Sequence, residues 1–140
     1  MDPLGLTASI ITVLQVSTKA THYVFSAKGA MNHKRRLHEE IRGCEGMLLR
    51  LLDILEHERS DPARASTISL LEGPHSPFKR LETLFESIRI KLAPKQGLAK
   101  MASSLAWPFN EKDVNDLIAA IQREKSLLHL VLDNDSRYAS

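Results

Sequence analysis

The stretch LHEEIRGCEGMLLRLLDIL, residues 37–55, decides the fold class. Within it Leu37, Ile41, Cys44, Leu48, Leu51 and Leu55 recur at alternating four- and three-residue intervals, the signature of one helix face. Met47, Leu49, Leu52 and Ile54 lie alongside and widen that face. Cys44 sits inside the seam, where a cysteine serves as a small core residue rather than as a nucleophile. Gly43 and Gly46 flank it and permit a close helix crossing or a slight bend.

Working outward, the sequence announces helix starts by an Asp or Ser N-cap before proline: Asp2-Pro3, Asp61-Pro62 and Ser76-Pro77. In the first segment Ile10, Val13, Ser17, Ala20, Val24 and Ala27 keep a three-four spacing, with Leu6, Ile11, Leu14 and Phe25 broadening the stripe. Nine of residues 7–24 are Thr, Ile or Val, which leaves a strand possible locally. Length without a turn signal favours one long helix, to about Gly29. Asp61 to Pro77 reads as a broken connector holding two helical turns (Ala65, Ile68, Leu70, Leu71), ahead of a helix marked by Phe78, Leu81, Phe85, Ile88 and Leu92 and stopped by Pro94 and Gly97.

After a short apolar piece (Leu98, Met101, Leu105), Trp107-Pro108-Phe109 leads to Asn110, which caps a last helix with Asp113 near its positive end. Val114, Leu117, Ile118, Ile121, Leu128 and Val131 form its stripe, and the sole Trp is expected to anchor the loop to the core. The expected architecture is all-α: one domain over residues 1–140, a bundle of four main helices with one or two short extra helices. Composition agrees, with 21 leucines and 13 alanines against 5 valines and 9 isoleucines. A single cysteine excludes a disulfide framework.

The net charge of +2 is too small to imply a nucleic-acid binder, and it hides a pattern. Residues 1–38 net +4, 39–72 net −4, 73–110 net +4 and 111–140 net −2. Alternating sign suits neighbouring faces of an antiparallel bundle; it equally suits four independently solvated helix surfaces.

Pro3 to Thr18 carries no charge over 16 residues. As a helix that run extends about 24 Å, short of a hydrocarbon core of about 30 Å. A longer span would take in Lys19, at about 2.5–3.5 kcal/mol near the bilayer centre. It is therefore no constitutive transmembrane helix. Lys28 and the run His33-Lys34-Arg35-Arg36 follow it closely. Near an anionic leaflet those four bases add at most about 4 kcal/mol, less the share of Glu39 and Glu40. The same run reads equally as a solvated helix start facing the acidic second segment. Lys79, Arg80, Lys91, Lys95 and Lys100 make a second basic face if the fold gathers them.

Motifs for chemistry are missing: the sequence holds no HExxH, paired CxxC, Walker loop or GxGxxG. His38-Glu39-Glu40 lacks the second histidine of a zinc site, and Asp133-Asn134-Asp135 lacks the glutamate that completes a calcium loop. No catalytic residue, metal or cofactor is expected, and the chain reads as a non-enzyme.

Met1-Asp2-Pro3-Leu4 running into Thr7-Ala8-Ser9-Ile10-Ile11 and Val13-Leu14-Gln15 resembles the start of fungal HeLo-like N-terminal domains. The tract from Leu81 to Pro94, the turn Leu105-Ala106-Trp107-Pro108-Phe109 and the stretch Ile121 to Asn134 are similar as well, so the resemblance covers almost the whole chain. It implies the N-terminal part of a longer protein, with a receptor or amyloid-motif region on its C-terminal side. It further implies a cell-death execution domain, cytoplasmic at rest, that oligomerises on activation and permeabilises the plasma membrane through its N-terminal helix, residues 1–29. On that reading Leu4, Leu6, Ile10, Ile11, Val13, Leu14 and Val16 enter the membrane, and Lys28, Lys34, Arg35 and Arg36 contact anionic lipid. Gly5 and Ser9, like Ser17 and Thr21, have the small-xxx-small spacing that packs helices in an oligomer. Two alternatives stand beside it: residues 4–16 as bundle core only, and a non-lytic adaptor that recruits partners by helix–helix contact.

Overall fold

A computed structural model describes residues 3–57, 71, 76–93 and 107–139. They form four helices: α1 (Pro3–Ser26), α2 (Met31–His57), α3 (Pro77–Leu92) and α4 (Glu111–Ala139). The expected all-α bundle is the fold observed, and no strand occurs among the described residues. The local strand propensity of α1 gives way because its stripe has the helical period and finds partners on neighbouring helices. The connector expected between Asp61 and Pro77, apart from Leu71, Ser76 and Pro77, the short apolar piece from Leu98 to Leu105 and the Asp2 cap lie outside the described residues.

Each helix buries one stripe. On α1 it is Leu6, Ile10, Val13, Ser17, Ala20 and Val24; on α2, Leu37, Ile41, Cys44, Leu48, Leu51 and Leu55. Phe78, Leu81, Phe85, Ile88 and Leu92 come from α3, and Val114, Ile118, Ile121, Leu128, Val131 and Leu132 from α4. The recurring three-four step is that of coiled-coil seams, and the four stripes meet in one continuous core. Gly43 and Gly46 differ: a Cβ on Gly43 would stand 2.8 Å from Lys125 Nζ, whereas Gly46 has open space. Only Gly43 serves a close approach, to the side chain of a neighbouring helix.

Contacts fix the topology. Ser17 meets Glu45 and Ala27 meets Lys34, so α1 and α2 are antiparallel. Arg80 meets Glu124 near the start of α3, while Lys91, at its end, stands 5.6 Å over the Phe109 ring just before α4; that pair is antiparallel too. Arg36 and Glu40 meet Asn115 and Lys125 in rising order, which makes α2 and α4 parallel. Gly5 and Leu6 share a cavity with Phe78 and Lys79, which makes α1 and α3 parallel. Two hairpins therefore lie side by side in the ring order α1, α2, α4, α3, and among the described residues the diagonal pairs make no contact.

Caps set the ends. Ser76 is the N-cap of α3, its Oγ accepting from the Lys79 amide at 3.3 Å, with Pro77 opening the first turn. Asn110 and Asp113 form a reciprocal capping pair at α4: Asn110 Oδ1 accepts from the Asp113 amide (2.8 Å) and Asp113 Oδ2 from the Asn110 amide (3.1 Å). α1 stops at Ser26, three residues short of Gly29, which turns with φ +81° and hands on to Ala30 at φ +55°. A left-handed alanine costs energy that the surrounding contacts must hold.

The charge blocks act only in part as expected. Arg80–Glu124, at 2.9 Å, joins antiparallel neighbours from blocks of opposite sign. Lys125–Glu40, at 3.2 Å, joins parallel neighbours from two net-acidic blocks. Individual side chains, rather than block averages, decide the pairing.

Candidate functional site

The residues singled out for function fall on α1 and on the elbow that joins it to α2. Leu6, Ile10 and Val13 are buried in the bundle, and Leu14 and Val16 are half-buried against its core. Ile11 faces outward at 41% exposure. Leu4 opens the helix, and its side chain lies outside the described residues. The apolar run is thus shared between a core face and an outer face.

The outer face has a distinctive chemistry. Its polar groups are mostly hydroxyls that turn back onto their own helix: Ser9 donates to the Gly5 carbonyl (3.0 Å), Thr12 to Ala8 (2.9 Å) and Thr18 to Leu14 (2.9 Å). Each hydroxyl proton is satisfied without water. Gly5 and Ser9 also line a cavity of about 300 Å³ with Leu6, Leu71, Phe78 and Lys79, so in this fold they stand at the α1–α3 boundary. Ser17 is buried in the core stripe, its hydroxyl 2.8 Å from both the Leu14 carbonyl and Glu45 Oε2. Thr21 Oγ1 is buried without a hydrogen-bond partner. The second small-residue pair therefore faces the interior.

The basic cluster is divided by the fold. Lys28 and Arg35 are exposed, and the exposed Arg36 donates to Asn115 Oδ1 at 2.7 Å. Lys34, expected among the lipid contacts, is instead only 6% exposed, and its ammonium donates to the Ala27 carbonyl at the end of α1. It ties down an orphan carbonyl at the negative end of that helix. The signal was in the spacing: Lys34 stands three residues before Leu37 and continues the α2 stripe backwards. Glu124, 4% exposed and bonded to Arg80, likewise occupies a stripe position on α4 three residues after Ile121.

The Trp-Pro-Phe turn does more than fill the core. The Trp107 amide donates to the Lys28 carbonyl at 3.3 Å, which fastens the elbow to the entry of α4. Its ring lies 5.2 Å from Phe109, edge to face, and 6.5 Å from His33. Trp107 Nε1 and His33 Nδ1 are both buried without a hydrogen-bond partner. The elbow is thus held by a backbone bond, an ammonium tie and an aromatic group, around a left-handed turn.

Other chemistry is sparse. Burial pushes the Cys44 thiol up to about 12, which keeps it protonated and unreactive at neutral pH. Among the described residues no group of His, Cys, Asp and Glu is placed to hold a metal ion, and no helix is long and apolar enough to cross a membrane. No family model, no curated protein and no solved structure matches this chain.

Proposed function

We propose that this domain is a membrane-active signalling module of the HeLo-like type, which stores α1 in the bundle and, on activation, oligomerises and delivers it to an anionic membrane to permeabilise it and execute cell death. The observation that carries the reading is the outer face of α1. From Pro3 to Thr18 it presents no charge, and Ser9, Thr12 and Thr18 spend their hydroxyl protons on backbone carbonyls. A buried polar group without a partner costs several kcal/mol in hydrocarbon, and internal bonding removes much of that cost. A helix built this way tolerates bundle core on one side and lipid on the other. Because the uncharged run of α1, about 24 Å long, does not cross the hydrocarbon core by itself, permeabilisation proceeds by insertion of several copies together.

Dye leakage tests it, with the protein clustered on phosphatidylserine-containing nickel-chelating vesicles through a C-terminal histidine tag. The double variant Ile11→Glu, Thr18→Glu changes only exposed positions and leaves the core stripe intact. One charge at mid-membrane costs about 2.5–3.5 kcal/mol and the variant adds two, so leakage should fall by at least about a hundredfold. Undiminished leakage from the variant, or none from the wild type, would sink the proposal.

A second reading, recruitment of a helical partner without lysis, is favoured by the α2–α4 face. There Leu130, 60% exposed, lines an open groove of about 600 Å³ together with Met47, Gln122 and His129. Loss of signalling on Leu130→Ser, with leakage absent throughout, would establish that reading instead.

A further inference from the structure

At the elbow, two large apolar side chains stand in solvent: Phe25, 54% exposed, at the end of α1, and Met31, 68% exposed, at the start of α2. They belong to one surface. The Phe25 ring packs edge to face on His38 with centroids 4.6 Å apart. Met31, Arg35, His38 and Arg42 follow one another at four-three-four spacing, which is a single stripe on α2. Lys28 lies between the two helices, and Lys28, Arg35 and Arg42 are all exposed. The face therefore carries two apolar residues, three cations and a histidine, with Glu39 as the neighbouring acid on α2. From Pro3 to His38 the chain contains no acidic residue.

We infer that this elbow face is a docking surface for an anionic membrane, engaged by the intact bundle before any helix leaves it. Phe25 and Met31 enter the boundary between headgroups and acyl chains, while Lys28, Arg35 and Arg42 contact the headgroups. An acidic protein partner would use the cations and bury the apolar pair alike; the uncharged run of α1 on the same helix as Phe25, and the lack of any acid from Pro3 to His38, favour lipid, where apolar insertion and headgroup attraction add. The surface is also preorganised. The Lys34 tie to Ala27, the Trp107 amide on Lys28 and the aromatic group behind them hold the turn, so little conformational freedom is lost on docking. Lys34 and Trp107 thus support the tip without touching lipid.

The inference rests on the proposed membrane role for its purpose, but it is read by binding rather than by leakage. Co-sedimentation of the untagged full chain is measured with vesicles of phosphatidylcholine alone and with added phosphatidylserine. Wild type should bind only the anionic vesicles. Phe25→Ser, Met31→Ser should weaken that binding about tenfold. Lys28→Glu, Arg35→Glu should weaken it at least about thirtyfold, since each cation near the surface is worth about a fivefold change. Leu127→Ser, Leu130→Ser, an exposed apolar pair towards the far end of α4, should leave it unchanged; circular dichroism checks that each variant is folded. Three outcomes overturn the inference: no binding to anionic vesicles, wild-type binding by Phe25→Ser, Met31→Ser (the result of charge attraction without apolar insertion), or an equal loss in the control pair. Binding that follows the expected order without leakage from clustered protein leaves the docking surface standing and removes the permeabilisation reading.

Discussion

α1 and α2 bury the same pattern and expose opposite ones. Both keep a three-four stripe inside, Ile10-Val13-Ser17-Ala20-Val24 on one and Leu37-Ile41-Cys44-Leu48-Leu51 on the other. Outside, α2 presents Arg35, Arg42, Arg50, Asp53 and Glu56, whereas α1 has no charge before Lys19. Burial thus explains the inner faces alone. A helix needed only as bundle core gains nothing from an uncharged outer face, and α2 shows that this fold readily accepts charges there. The difference between the two helices is where selection for a second environment would leave its mark.

The strongest way to break the comparison is to remove side chains from adjacent positions on both helices. Ile10 is 1% exposed and Ile11 41%; Leu48 is fully buried and Leu49 is 55% exposed. Ile10→Ala and Leu48→Ala should each lower unfolding free energy by about 3 kcal/mol, through lost transfer energy and the cavity left behind. Ile11→Ala and Leu49→Ala should cost less than about 1 kcal/mol. Urea titration measures all four. If Ile11→Ala costs as much as its neighbour, α1 has no free face and the membrane reading loses its basis.

The second test concerns the middle of the α2 stripe. Burial raises the Cys44 thiol from 9.0 to about 12, so the unfolded chain releases this proton first as pH rises. Between those values the folded state holds more protons, and the contribution is complete below pH 9 and lost towards pH 12. Stability should fall by about 1.4 kcal/mol per pH unit over that window from this group alone. Cys44→Ala should flatten that alkaline slope, even though it lowers stability at pH 7 by leaving a small cavity. An unchanged slope would mean that water reaches the thiol and that the stripe is open at its centre.

Periodicity alone makes the four helices legible, and cap chemistry places Ser76-Pro77 and Asn110 at helix entries. Periodicity also identifies Leu6, Ile10 and Val13 as apolar and facing one way, but it is silent on which neighbour covers them. Parallel pairing of α1 with α3 and of α2 with α4 depends on the path between Leu55 and Ser76, where no local rule applies. The role of Lys34 was hidden for a different reason. Its charge classed it with Arg35 and Arg36, while its position in the stripe, three residues before Leu37, outweighed that charge. A long aliphatic stem and one carbonyl at the right height let an ammonium sit where a leucine would. Trp107 was expected against the core, yet its amide bond to Lys28 joins segments far apart in sequence, and spacing carries no trace of such a link.

The smallest effect tests the polar link between the two helices themselves. Ser17 is fully buried in the α1 stripe and meets Glu45 Oε2 at 2.8 Å, so it places a hydrogen bond where α2 has only apolar groups and a thiol. Ser17→Ala removes the donor and should cost about 1 kcal/mol, since the half-buried Glu45 recovers part of the loss from water. Glu45→Gln keeps an acceptor oxygen and should cost less than half as much. In a double-mutant cycle with Glu45→Ala, the pair should show a coupling of about 0.5–1 kcal/mol. Hydrogen exchange then separates a local tie from global stability: Ser17→Ala should speed exchange in α1 more than in α4. Equal acceleration in both would mean that α1 opens only with the whole bundle, and that storing it for release requires more than this bond and the elbow to break.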